Sequence, residues 1–203
     1  MTALAEYLKG VANVANKLEI MIPWYLPTGS IVNQQYYKTE TIKIKPFAYT
    51  KNIVNLSVLN KTKFNKNKQK IALMPNFLHS LDAASLCLVI VNYFKLIDNI
   101  NFYSIHDCFA VPCNKVSHLI GLLRSAYCII YTESKYLIEF DDNFKNTIIK
   151  SYGESAVTFD NKKGKLTIKL KNENITFKYP SINKIIDIGT TNTNLINSNY
   201  LIH

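Results

Sequence analysis

Apolar and polar positions alternate at helical spacing over residues 2–20. Residues three and four apart share one face of a helix, so this spacing predicts an amphipathic helix that packs on the rest of the chain. Pro23 and the turn at residues 27–29 end the helical pattern. The predicted apolar face consists of Leu4, Leu8, Val11, Ala15 and Leu18.

Period-two alternation, which is typical of β-strands, occurs in two regions. Near the start, residues 31–37 and 41–46 predict two strands, the second of which alternates Ile42 and Ile44 with lysines. In the last quarter of the chain, three short alternating segments separated by polar turns predict a small β-meander. These segments span residues 157–159, 166–170 and 175–179.

The middle of the chain predicts three helices. Residues 77–96 are apolar at almost every position, which is typical of a helix that is buried on all sides. Pro75 fits the start of that helix and Asn76 its cap, because proline lacks the amide hydrogen that a first turn leaves unpaired. The other two predicted helices span residues 114–131 and 135–152.

Several chemically active residue types fit structural roles. Cys87 and Cys128 lie in apolar helical patterns without a Cys-x-x-Cys spacing, so they are predicted to be reduced core residues. Asp141 and Asp142 are adjacent in a predicted helix and indicate a solvated face rather than a metal site. Trp24 is predicted to anchor the core.

One stretch carries candidate catalytic chemistry. Residues 102–111 contain two short runs of aromatic and β-branched residues, interrupted by His106 and Asp107 and followed by Pro112. This pattern predicts a tight hairpin with the carboxylate at its bend. A carboxylate on such a rigid base can hold a divalent cation against a phosphate. For this stretch alone, an aspartate that only stabilises the turn is the commoner explanation.

The chain is strongly basic, with a formal net charge of +10 and a pI near 9.3, which favours a polyanionic partner such as nucleic acid. Five lysines fall within residues 61–70, and like charges at that density predict a solvated loop. Phosphate binding with counterion release would give this loop weak, sequence-independent contacts with nucleic acid. The five are Lys61, Lys63, Lys66, Lys68 and Lys70.

Membrane and secretory classes find no support in the sequence. No basic segment followed by an apolar core opens the chain, and the longest apolar run, residues 86–91, is too short to span a bilayer. The hydrophobic content of 48% is ample for a packed core. We therefore expect a folded chain without a membrane partner.

Three motifs follow one another along the chain. The first contains Trp24, Pro27, Gly29, Val32, Gln34 and Tyr36. Residues 75–82 read Pro-Asn-Phe-Leu-His-Ser-Leu-Asp, and residues 106–109 read His-Asp-Cys-Phe. Together with the first motif, they resemble the C-terminal part of the single-subunit DNA-dependent RNA polymerases of phage and mitochondria. Cys108 stands where that family usually has serine.

The resemblance implies an α+β fold that corresponds to the palm and adjoining fingers of a right-hand polymerase. It implies that Asp107 is one of two aspartates that ligate two catalytic Mg²⁺ ions. His79 and His106 would lie at the active-site floor, near the growing RNA end.

In the same family, the region of the first motif borders the template and downstream DNA. The resemblance therefore makes Tyr36, Lys43 and Lys45 candidates for contacts with the nucleic-acid backbone, beside the five lysines of residues 61–70.

The expected function is DNA-directed RNA synthesis from nucleoside triphosphates, with a DNA template and an RNA product as partners. Residues 1–155 are assigned to the polymerase palm and fingers, and residues 156–203 to a β-meander insertion and a polar tail. The segment with the other metal-binding aspartate has no match here. We therefore expect the remaining polymerase segments to lie N-terminal to this chain, and residues 1–203 alone to be inactive. An Arg-rich transit peptide is missing, so a location in the mitochondrion would require an organelle-encoded gene.

Two other classes are alternatives, of which only the first finds support in the sequence. A non-catalytic, basic nucleic-acid-binding remnant of a polymerase would need only the net charge, the lysines and the aromatic residues. A metal-dependent nuclease or phosphatase would need a cluster of further Asp, Glu or His ligands. The sequence contains too few such residues to support this class.

Overall fold

The computed structural model describes residues 2–45, 53–96, 101–105, 108–133, 136–160, 164–169 and 174–186. Helices and strands both occur throughout these ranges, as the α+β prediction requires. The strands form three antiparallel pairs, β1–β2, β3–β4 and β5–β6, and one three-stranded sheet, β7–β8–β9. In chain order the elements are α1 (Thr2–Leu18), β1 (Ile22–Tyr25), β2 (Ile31–Gln34), β3 (Tyr37–Ile44), β4 (Val54–Phe64), α2 (Lys66–Leu96), β5 (Tyr103–Ile105), β6 (Cys108–Ala110), α3 (Val116–Cys128), α4 (Tyr136–Tyr152), β7 (Val157–Asp160), β8 (Lys165–Lys169), β9 (Asn174–Lys178) and α5 (Asn183–Ile186).

Helix α1 confirms the amphipathic helix predicted at the start of the chain. Its apolar face is buried against the rest of the core except at Leu4, which is half-buried. The helix ends where Glu19 adopts a left-handed φ of 54° and the Ile20 amide donates to the Ala15 carbonyl at 3.1 Å. Such a bond satisfies a carbonyl at the helix end. The helix packs on α2 and on β9.

Strand β1, which the alternation pattern did not reveal, carries the centre of the core. It pairs with β2 across a tight connection in which Gly29 adopts a φ of 83°. Trp24 on β1 is fully buried, and its ring centroid lies 6.1 Å from that of Phe77 and 6.2 Å from that of Phe140. Its Nε1 donates to Ser80 Oγ at 3.0 Å. Trp24 is therefore the core anchor that the sequence predicted.

Strands β3 and β4 form a two-stranded antiparallel unit, which we call the ribbon. Ile42 pairs with Leu56 and Ile44 with Val54, yet these four side chains are 42–48% exposed. A two-stranded ribbon with so little burial is marginally stable by itself. Its position therefore depends on how its root is attached to the core.

The predicted lysine loop is wrong. Residues 61–64 finish β4 and α2 already begins at Lys66. The physical reason is a helix cap within the lysine-rich segment: Asn65 Oδ1 accepts a hydrogen bond from the Lys68 amide at 3.1 Å, as an N-cap residue does. Pro75 consequently lies inside the helix rather than at its start, where proline removes one helical hydrogen bond.

Helix α2 is buried on one face, which corrects the prediction of a helix buried on all sides. On the opposite face Ile71 is 75% and Val91 50% exposed. Cys87 is exposed as well, so its assignment to the core is wrong, whereas Cys128 is buried as predicted. The buried face consists of Gln69, Leu73, Phe77, Leu81, Ala84, Ser85, Val89 and Tyr93.

By length and composition alone, α2 could cross a membrane. It has 31 residues, and an 18-residue window within it reaches a mean hydropathy of 1.5. The longest uninterrupted apolar run, residues 86–91, is too short to indicate such a membrane span. A mostly buried core helix of a soluble protein passes the same test, although only 33% of this window is buried. The packing of α2 on α1 and α3 accords with a core helix.

The predicted hairpin is present as β5 and β6, in which Ile105 pairs with Cys108. Phe102 and Phe109 pack on a second apolar cluster, formed by α2 and α3. The helix predicted for residues 114–131 is also present, as a short 3₁₀ turn, α3 and a π-helical turn at Ile129–Glu133. Packing on α2 and α3 therefore fixes the hairpin strands.

The predicted meander is also confirmed, as the antiparallel sheet β7–β8–β9. Leu166, Ile168 and Phe177 of this sheet belong to the same buried cluster as the apolar face of α1. The division of the chain at residue 155 stays a prediction. Of the polar tail, residues 180–186 include the short helix α5, and residues 187–203 lie outside the described ranges.

Asp141 is buried, which contradicts its prediction as part of a solvated face; Asp142 is exposed. Asp141 Oδ1 accepts hydrogen bonds from the hydroxyls of Tyr7 and Tyr179, each at 2.7 Å. Its Oδ2 lies 2.6 Å from Lys145 Nζ. The buried carboxylate is thus satisfied by three donors and ties α4 to α1 and to the residue that follows β9.

The Tyr7–Asp141 bond generates a prediction about stability. Burial first, and then the Asp141 carboxylate, raise the pKa of the Tyr7 hydroxyl. A raised folded-state pKa gives stability that is complete below the ordinary tyrosine pKa of about 10 and is lost as the pH rises above it. Tyr7→Phe should lower the free energy of unfolding near pH 7 by about 1.5–3 kcal/mol. It should also make the decline of stability above about pH 10 shallower.

Denaturant titrations of the 203-residue chain between neutral and alkaline pH measure both effects. The control is Tyr103→Phe, because the Tyr103 side chain is 63% exposed and its change should leave stability at neutral pH unaltered. An alkaline decline of Tyr7→Phe as steep as that of the unchanged chain would contradict the assigned role.

Candidate catalytic cleft and nucleic-acid surface

A cleft of about 710 Å³ opens between α2, β6 and α3. His79 and Asp82 line it from α2, where a spacing of three residues puts them on one helix face. Phe109 lines it from β6 and Tyr127 from α3. His79, the residue predicted for the active-site floor, is exposed to this cleft.

Asp107 and His106 lie outside the described residues, so their roles stay predictions. Their neighbours in the chain are described: Ile105 and Cys108 pair with each other, and Phe109 lines the cleft. The hairpin that contains the predicted catalytic aspartate therefore borders the cleft that contains His79.

His79 also lines a second groove, of about 400 Å³, at the root of the ribbon. Trp24 and Ser80 form part of its wall, together with Tyr36 and Asn76. The groove therefore lies between α2, which contains His79, and the first sequence motif, which contains Trp24 and Tyr36.

Amide side chains lock the root of the ribbon to α2. Gln34 Nε2 donates to the Gln69 carbonyl at 2.9 Å, and Gln69 Nε2 donates back to the Gln34 carbonyl at 3.0 Å. Asn76 Nδ2 donates to Gln34 Oε1 at 3.0 Å and to the Tyr36 hydroxyl at 2.9 Å. Lys68 Nζ lies 4.7 Å from the centroid of the Tyr36 ring, within cation–π range. Tyr36, a predicted nucleic-acid contact, is thus held in a fixed orientation.

The other predicted lysine contacts belong to the ribbon and to the first turns of α2 rather than to a loop. Two of them already have acidic partners: Lys63 Nζ lies 3.1 Å from Glu40 and Lys66 Nζ 3.2 Å from Glu19. Pairs as exposed as these contribute little to stability, so the lysines can exchange partners. The ribbon group comprises Lys43, Lys61 and Lys63 together with Lys45, which directly follows β3, and the helix group comprises Lys66, Lys68 and Lys70.

The sequence patterns do not predict two features of this surface. Asn76 was assigned to a helix cap, and Gln69 was given no role, although the two amides are seven residues apart. That spacing places both on the same face of a continuous helix, so it could have indicated a shared partner once Asn65 was recognised as the cap. Tyr127 lies within the helix predicted for residues 114–131, and the sequence indicates no further role for it.

Comparison with known proteins gives consistent matches. The sequence profile of the family described as DNA-dependent RNA polymerase matches residues 3–192. A probable DNA-directed RNA polymerase of Podospora anserina is 42% identical over 188 residues, which cover 91% of this chain and 19% of that protein. One from Neurospora crassa is 32% identical over 157 residues, or 77% of this chain and 18% of that protein.

A mitochondrial DNA-directed RNA polymerase of Mus musculus is 29% identical over 131 residues, which cover 64% of this chain and 11% of that protein. The chain thus spans less than a fifth of the length of each of these three relatives. The profile match includes the sheet β7–β9, which the three sequence motifs did not reach.

The exposed lysines of the ribbon and of the first turns of α2 generate a prediction about the salt dependence of nucleic-acid binding. Replacing Lys61, Lys68 and Lys70 by glutamine should reduce the slope of log affinity against log salt concentration for single-stranded nucleic acid, by up to about 2 if all three release counterions. Fluorescence anisotropy with a labelled oligonucleotide at several salt concentrations measures the slope.

The matched control removes the same charge elsewhere, by changing Lys150, Lys165 and Lys178 of α4, β8 and β9 to glutamine; all three are exposed. This control should keep most of the slope. Equal slopes for both triple variants would mean that net charge alone, and not the ribbon and α2 lysines, governs binding.

Proposed function

Because the chain belongs to the DNA-dependent RNA polymerase family, of the single-subunit phage and mitochondrial type, we propose that it is the part of a template-dependent RNA polymerase that contributes one metal-binding aspartate, Asp107. The single observation that carries this proposal is the 42% identity to a probable DNA-directed RNA polymerase over 91% of the chain. The substrates would be nucleoside triphosphates and the partners a DNA template and an RNA product. The fold would correspond to the palm and fingers of such an enzyme.

The donor chemistry of the hairpin fits Mg²⁺ at one of its two central positions. A carboxylate such as that of Asp107 offers the hard oxygen ligands that Mg²⁺ prefers, whereas the imidazole of His106 does not. Asp107 would hold one of two ions, which would supply charge stabilisation for nucleotidyl transfer, and a site for two ions needs more than one carboxylate. We propose that the second aspartate comes from polymerase segments N-terminal to this chain, so residues 1–203 alone would not synthesise RNA.

The described residues would bind and orient the nucleic acid. His79, which is exposed to the cleft beside the hairpin, would contact the growing RNA end. His106 would orient the hairpin or contact the same end. Tyr36, fixed by Asn76, and the lysines of the ribbon and α2 would contact the backbone. A location in the mitochondrion is supported by the mitochondrial polymerases among the relatives.

A second candidate function is a non-catalytic nucleic-acid-binding remnant of such a polymerase. The net charge of +10 and the exposed lysines favour binding without requiring catalysis. The two candidates differ in whether Asp107 matters for RNA synthesis by a polymerase that includes this chain.

Asp107→Asn in the intact polymerase tests the proposal. The amide has nearly the size of the carboxylate but lacks the negative charge that holds a metal ion, so RNA synthesis should fall by at least about 100-fold while nucleic-acid binding persists. Primer extension on a defined template at saturating Mg²⁺ measures the rate. The control is Asp142→Asn, because the Asp142 side chain on α4 is 61% exposed and should be dispensable. Near-normal synthesis by Asp107→Asn would defeat the catalytic assignment.

A further inference from the structure

Two tyrosines are stacked beside the cleft, at the end of α3. The ring centroids of Tyr127 and Tyr131 lie 5.9 Å apart with an angle of 15° between the ring planes. Tyr131 belongs to the π-helical turn Ile129–Glu133, a rare conformation that is frequent at functional sites. Tyr131 is 50% exposed, whereas Tyr127 is half-buried and packs against the cluster formed by α2 and α3, so the stack lies at the edge of the core.

The cleft beside this stack has the size and the aromatic lining of a site for a small planar group. Its volume of about 710 Å³ is within the usual range for ligand clefts. Tyr127 contributes to its wall from α3 and Phe109 from β6. Nucleobases stack on such side chains in proteins that bind single strands.

The charges of the cleft favour a base over a phosphate. The described residues that line it are His79, Asp82, Ala83, Ser85, Leu86, Phe109 and Tyr127, a set without lysine or arginine. The Asp82 carboxylate would repel a phosphate but can accept a hydrogen bond from the amino group of a base. Asp82 also contributes, after burial, to the raised pKa of the Tyr131 hydroxyl, which accords with its proximity to the stack.

We propose that this cleft binds one unpaired base of a single-stranded nucleic acid, with the base stacked on Tyr127, Tyr131 supporting that ring from behind, and Asp82 facing the polar edge of the base. The proposal rests on the proposed function, because it assigns a base site to the same nucleic-acid surface. The lysines of the ribbon and α2 bind the backbone, and the cleft adds a contribution that depends on the base.

The test compares two 12-nucleotide DNA strands that share a backbone: oligodeoxyadenylate and a strand without bases. Tyr127→Leu in the 203-residue chain should weaken binding of oligodeoxyadenylate by about 5- to 150-fold, the usual effect of losing one stacked base. Binding of the strand without bases should stay unchanged. Tyr127→Phe and Tyr127→Trp should restore the affinity for oligodeoxyadenylate, because each retains an aromatic face.

Several results would overturn the base site. These are equal weakening of both strands by Tyr127→Leu, no weakening of either, or failure of the aromatic variants to restore binding. The last two variants keep the test valid if Tyr127→Leu is poorly folded, since they must still prefer the strand with bases. Repeating the titrations with oligoadenylate RNA shows whether a 2′-hydroxyl adds affinity and so distinguishes an RNA end from a DNA strand. RNA synthesis that requires Asp107, combined with any of the overturning results, would refute the base site and leave the proposed function intact.

Discussion

The one-sided burial of α2 is the constraint on which the rest of the structure depends. At 1.5 Å per residue this 31-residue helix is about 45 Å long, and a single apolar face runs along it. Phe77 on that face packs against Trp24, and Val89 further along belongs to the cluster that supports the β5–β6 hairpin. The ribbon root, the cleft and the hairpin are therefore attached to one rigid element.

This arrangement explains how a ribbon with so little buried surface can present its lysines in a defined place. Gln34 and Gln69 exchange hydrogen bonds through both amide nitrogens, and both side chains are buried. Buried side-chain amides that each donate to the other residue's backbone carbonyl resist displacement, because any separation would leave these groups unpaired. Asn76 extends the contact to Tyr36. The position of the proposed nucleic-acid surface is thus coupled to that of His79, three residues further along the same helix.

Local patterns predicted those elements whose partners are close in sequence. The period of α1 and the β7–β9 meander are visible in alternation alone, and the β5–β6 hairpin is visible in two short apolar runs separated by His106 and Asp107. The start of α2 was missed because the lysines around Asn65 suggested a loop, although that asparagine is the cap. The burial of Asp141 depends on Tyr7, 134 residues away, and on Tyr179, 38 residues away, so no local pattern could have indicated it. Of the candidate site, His79 could be predicted from a motif. The Tyr127–Tyr131 pair has the four-residue spacing of one helix face, but only the structure shows that Tyr127 lines the cleft.

The central claim is that this chain works as one segment of a larger polymerase. The most direct test is mass spectrometry of the native gene product in the source cells, with peptides mapped to this chain and to the reading frame upstream. We predict peptides that continue into an upstream segment with a second metal-binding aspartate, in a product several times the mass of these 203 residues. A native product that begins at Met1 and has no such partner segment would contradict the claim, and would leave nucleic-acid binding as the function of the chain.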